Sequence, residues 1–168
     1  MNASTRNQFF ENDLRRYMDA LTDNDKAKFG LMGPQHMVEH LIWSLQSANG
    51  TLDLPIATPE DRIPRFMAFL DTEYAIMPNF KNPLMEKETT EPLLHENLDE
   101  AKAVFWKEWE KYQDYYSNHP DAKTKNPVYG WCGKEDWDKL HFKHFLHHFD
   151  QFGIANTADY GLKPFERK

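Results

Sequence analysis

Eight histidines occur in this chain of 168 residues, and four of them form two pairs with the same spacing, His36/His40 and His144/His148. Residues four apart on an α-helix lie one above the other on one face. Each pair can therefore present two imidazoles to a single cation, which is the geometry that recurs in helical metal sites. At this histidine content roughly 0.4 such pairs are expected by chance, fewer than are present. The rival reading makes them neutral histidines at the edge of a core, hydrogen-bonded to their neighbours.

The remaining residue types narrow the chemistry. The single cysteine, Cys132, cannot form an intramolecular disulfide and excludes every multi-cysteine zinc module, so a metal must be held by histidine and carboxylate. Neither pair contains the glutamate of a His-Glu-x-x-His helix, which excludes that zinc-protease arrangement. Histidine-rich sites suit zinc, nickel, iron(II) or copper.

These histidines need helices to position them. With about 100° between successive residues and His144 at zero, His148 falls near 40°, His141 near 60°, Gln151 near −20° and His147 near −60°. The pair thus borders an apolar arc built from Trp137, Phe142, Phe145, Phe149 and Phe152. Lys139, Lys143 and Asp150 mark the expected solvent side, and His147 is expected to be partly solvated. On the other helix His40, Ser44 and Ser47 make a narrow polar stripe beside Val38, Leu41, Ile42 and Leu45.

The apolar spacing predicts a first helix from about Asn7 to Leu21 and a second from Pro34, well tolerated at a first helical position, to about Ala48. Asn49-Gly50 stops the second helix. A Pro-rich crossover from Leu52 to Pro64 leads into a short helix from Ile63 to about Leu70, and Pro78 to Pro92 reads as loop. The third long helix covers Leu98 to about Tyr116. An irregular loop from Asn118 to Gly133 precedes the fourth, from Lys134 to about Phe152, closed by Gly153. The tail, 154–168, has no periodicity. No strand alternation competes, so the expected architecture is all-α: one domain over 1–168, a four-helix bundle with a long crossover between helices two and three.

Composition removes other functions. With 27 acidic against 20 basic residues, a formal charge of −7 and no Lys/Arg cluster, nucleic acid is not an expected partner. No apolar run reaches membrane-span length and the first residues lack a secretion-signal layout, so a cytoplasmic protein is expected. Twelve Phe, seven Tyr and five Trp supply enough apolar surface for a folded core.

Three segments together carry a family resemblance: Asn126-Pro127-Val128-Tyr129-Gly130, Glu135-Asp136-Trp137, and His144-Phe145-Leu146-His147-His148-Phe149-Asp150-Gln151-Phe152-Gly153. With Met37-Val38-Glu39-His40-Leu41, the chain resembles the DinB-like superfamily of four-helix metalloproteins. That resemblance implies a divalent metal held by one histidine of the second helix and a His-x-x-x-His pair of the last, here His40, His144 and His148. Three imidazoles leave a coordination position open, where a water can be acidified or a thiol bound as thiolate. The superfamily includes thiol-dependent transferases and isomerases. The implied function is a metal-dependent enzyme, a hydrolase or thiol-dependent transferase acting on a small molecule; homodimers are common in the superfamily. This sequence departs from the pattern where Asn126-Pro127 replaces a frequent His-Pro and where Glu39 replaces a second histidine. A non-catalytic metal-binding bundle and a metal-free interaction or dimerisation module are the alternatives.

Other candidates have plainer expectations. His36 is read as pocket wall, His141 as lining behind the ligands, and His95 and His119 as loop residues. Glu39 is placed on a solvated face. Gln151 can orient a metal-bound water or hydrogen-bond the backbone, Cys132 is an inert thiol, and Trp43, Trp106, Trp109, Trp131 and Trp137 are core or interface anchors.

Overall fold

The computed structural model describes residues 2–80, 84 and 90–165. The chain is mostly helical. Helix α1 (Ala3–Gln8) runs through a π-helical turn (Phe9–Asp13) into α2 (Leu14–Ala20). The expected first helix thus begins four residues early, because the Asn2 side chain accepts the backbone N–H of Ser4 and caps it. The π turn sets Asp13 where its carboxylate accepts the Tyr160 hydroxyl at 2.7 Å, tying the C-terminal tail to the first helix.

Helices α3 (Pro34–Ala48) and α4 (Ile63–Leu70) occupy the expected spans, and α5 (Leu98–Asn118) extends two residues past its expected end. Asn97 caps α5 by accepting the Glu100 N–H at 2.9 Å. Helix α6 (Lys134–Gln151) starts behind Gly133, whose N–H is accepted by the Asp136 carboxylate at 3.0 Å. It ends at Gly153, which takes the left-handed conformation at φ 72°. Most of the loop expected between Pro78 and Pro92, and the last three tail residues, lie outside the described residues.

Two expectations of irregular chain are corrected. Strands β1 (Thr124–Asn126) and β2 (Gly130–Cys132) form an antiparallel hairpin, Thr124 facing Cys132. Three-residue strands are too short to show alternation in a sequence. Thr124 is the hub: its hydroxyl accepts from the Trp137 indole at 2.8 Å and donates to the Ala48 carbonyl at 3.0 Å, joining α3, the hairpin and α6. The tail carries a 3-10 turn (Thr157–Tyr160), and Lys163 pairs with Tyr74 in an isolated parallel bridge.

Helix α3 packs along α5, and α6 touches α1, α3, α4, the hairpin and the tail. Contact on all these sides makes α6 the buried centre. Trp137, Phe142, Phe145, Leu146 and Phe149 are fully enclosed, and so is Lys143, contrary to its expected place on the solvent side. Its ammonium donates to the carbonyls of Phe69, Thr72 and Tyr74 at 2.8–2.9 Å and sits 4.1 Å from the Phe69 ring centre. The last carbonyls of a helix have no partner within it; Lys143 supplies one where α4 ends. Leu146, fully buried three residues on, is the sequence sign that this face is covered. Among the described residues no helix is long and apolar enough to cross a membrane.

Candidate metal centre

His40 lies in the middle of α3, and His144 and His148 stand one turn apart on α6. The two helices bring all three side chains to one point. The Nε2 of His144 is 2.8 Å from that of His40 and 3.1 Å from that of His148. Ring centres are 4.8, 5.0 and 4.8 Å apart, a nearly equilateral set. His148 is buried, whereas His40 and His144 are partly exposed. Among the described residues no fourth His, Cys, Asp or Glu joins the group.

The protonation of His148 follows from its partners. Gln151 Nε2 lies 2.7 Å from the Phe29 carbonyl, which can only accept, so the amide nitrogen must face it. The amide oxygen then faces His148 Nδ1 at 2.8 Å and needs a proton there. His148 is thereby held as the Nδ1–H tautomer, with its Nε2 lone pair directed at the other two rings. Burial favours neutral imidazoles throughout the cluster: it pushes the His40 pKa down to about 4 and holds those of His144 and His148 well below the ordinary histidine value, with the neighbouring histidines adding to the shift.

Neutral imidazoles with converging lone pairs are the protonation state a metal needs. Without a cation, such lone pairs repel unless a proton is shared between them. At zinc–nitrogen lengths, nitrogens at the corners of a tetrahedron are roughly 3.3 Å apart. The 2.8 and 3.1 Å separations are slightly tighter and the three ligand atoms span up to 4.8 Å, so the rings must turn to close on an ion. The donor set fits a divalent ion of the zinc, nickel or iron(II) class.

The surrounding residues depart from expectation in two places. Glu39 is not solvated: its carboxylate, 9% exposed, accepts the backbone N–H groups of Leu94 and His95 at 2.9 and 3.1 Å, the Gln35 amide at 3.0 Å, and the His95 ring at 3.0 Å. The segment entering α5 folds over that face of α3 and covers it. His147 is buried rather than partly solvated, its Nδ1 3.1 Å from the Ile76 carbonyl, because the chain after α4 lies across that shoulder of α6.

The other candidates fall outside the cluster. His141 is fully enclosed, stacked on Phe145 at 5.0 Å and edge-on to Tyr112 at 4.9 Å, so it lines the core behind the ligands. His36 and His95 do not join the three-histidine group, and His119 is exposed. Cys132 is buried with its thiol pushed up to about 12, which makes it inert. Trp137 is a core anchor, and Trp131 is 55% exposed. Sequence reasoning missed the Phe29 carbonyl and the Ile76 carbonyl as partners; a backbone acceptor contributed by a loop leaves no mark in residue type.

No protein-family model, curated protein or solved structure matches this chain.

Proposed function

We propose that the protein is a divalent-metal enzyme of the DinB-like kind, a four-helix bundle whose metal is held by His40, His144 and His148. The observation that carries this reading is the convergence of three histidine ligand nitrogens from two helices, all within 4.8 Å of one another. A divalent cation there supplies Lewis acidity to a fourth ligand, which suits hydrolysis or transfer to a thiol. Two features support an accessible site over a closed structural one. Two of the three residues, His40 and His144, are of intermediate exposure, and no fourth protein ligand joins the group among the described residues. The substrate is accordingly a small molecule that reaches the metal from that exposed side.

Cobalt(II) substitution tests the reading, because its visible absorption reports coordination number and ligand exchange. Cobalt should bind at about one per chain, and a small thiol such as 2-mercaptoethanol should then shift the spectrum by entering the open position. A spectrum indifferent to thiol, azide and imidazole alike would contradict an open site, and failure to bind cobalt, zinc or nickel would contradict the centre itself.

A further inference from the structure

We propose that Gln151 is a positioning residue for the metal centre, and that the connector between α2 and α3 sets its hold on His148. This inference rests on the metal-site reading above.

The chain of contacts is short and directional. His148 Nδ1–H donates to Gln151 Oε1 at 2.8 Å, and Gln151 Nε2 donates to the Phe29 carbonyl at 2.7 Å. Gln151 is 3% exposed and its bond to His148 is buried, so water does not compete for that bond. An amide between an imidazole N–H and a backbone carbonyl can point only one way, and that orientation selects the His148 tautomer able to bind a cation through Nε2. Among the described residues, the Nδ1 atoms of His40 and His144 have no such partner. His148 is therefore the ligand whose orientation the protein fixes in advance.

The connector is fixed to the same turn of α6. Lys28 N–H donates to the Gln151 backbone carbonyl at 2.8 Å, and the Lys28 ammonium pairs with Asp150 at 2.9 Å. Gly30 follows at φ +78°, where a Cβ would lie 3.0 Å from Gln151 Nε2. Only glycine lets the connector approach this closely in that conformation. Residues 28–30, more than a hundred positions away in sequence, thus orient the amide that orients the ligand.

The test reads ring tautomers and metal affinity in the full chain. In metal-free, 15N-labelled wild type at about pH 7, where neutral imidazole predominates, long-range proton–nitrogen correlation should show His148 protonated at Nδ1. In Gln151→Leu that preference should vanish, and zinc affinity should fall by about 10- to 100-fold, the usual effect of removing a ligand's hydrogen-bond partner. Gln151→Glu keeps an acceptor for the Nδ1–H but cannot donate to the Phe29 carbonyl, so it should keep His148 protonated at Nδ1 and bind zinc more tightly than Gln151→Leu. Gly30→Ala should weaken zinc binding without touching any ligand. Wild-type His148 protonated at Nε2 would overturn the proposal, as would a folded Gln151→Leu protein binding zinc like wild type. Should Gln151→Leu fail to fold, the His148 tautomer decides, in wild type and in Gln151→Glu, both of which should carry the proton on Nδ1. Should wild type bind no zinc, the metal reading fails, and the tautomer decides whether Gln151 holds the His148 ring.

Discussion

Each buried histidine carries a proton-linked cost that sets how the protein responds to acid. Burial pushes the His141 pKa down to about 3 and that of His40 down to about 4, against an ordinary value near 6.5. Below about pH 6.5 the unfolded chain takes up protons on these side chains that the fold refuses, so stability falls as pH drops. Each such group contributes about 1.4 kcal/mol per pH unit until its folded pKa is reached. The melting temperature of chelator-treated protein should be level from about pH 8 to 7 and fall steeply from about 6 to 4.5. A level profile down to that pH would contradict the burial of the cluster. His141 has no ring hydrogen bond of good geometry among the described residues, the backbone of Ser44 offering a weak one at most. His141→Leu should therefore fold and make the acid limb shallower. At this scale the sequence was informative where spacing dictated position: a four-residue step guarantees that His144 and His148 share a face. Glu39 was misplaced for the converse reason, since the segment covering its face, around Leu94 and His95, comes from a distant part of the chain.

Among the elements, α6 departs most from a surface helix. A helix packed on one face shows a polar stripe opposite it, and Lys139, Lys143 and Asp150 suggested such a stripe. The elements packed around α6 instead bury several of its polar residues, and Lys143 is satisfied there by holding the carbonyls of Phe69, Thr72 and Tyr74. Lys143→Met retains the apolar stem and leaves the Thr72 and Tyr74 carbonyls unpaired, while the Phe69 carbonyl keeps the Thr72 N–H and hydroxyl. It should cost about 2–4 kcal/mol in urea unfolding, given about 1–3 kcal/mol for each buried group left unsatisfied; a loss under about 0.5 kcal/mol would mean that the chain after α4 re-forms its bonds with water. Helix spans were readable because caps and stops are local: Pro34 and Gly153 mark ends through their own backbone constraints. The hairpin at 124–132 was not, since its register depends on Thr124 bridging Ala48 and Trp137, contacts no local pattern encodes.

For the molecule as a whole, the histidine cluster joins α3 to α6 across 104 residues of sequence, so occupancy should be felt globally. A ligand that binds only the folded state stabilises it by about 2.7 kcal/mol at a hundred times its dissociation constant. For a chain of this size that is a rise in melting temperature of roughly 5–10 °C. Excess zinc should produce such a rise in wild type and none in His148→Ala; equal shifts in both would place the zinc elsewhere. The helical class was legible from periodicity alone, whereas the loops that close around α6 were not. Metal identity and substrate stay outside what three imidazoles specify, because histidine accommodates several divalent ions.

The central claim is that His40, His144 and His148 together hold one metal ion, and elemental analysis of tag-free protein tests it most directly. Wild type should carry about one zinc, nickel or iron per chain, while His40→Ala and His148→Ala, each retaining the helical circular dichroism of wild type, should carry almost none. Full occupancy in either variant, or a wild type that stays empty after reconstitution with each of these ions, would contradict the account.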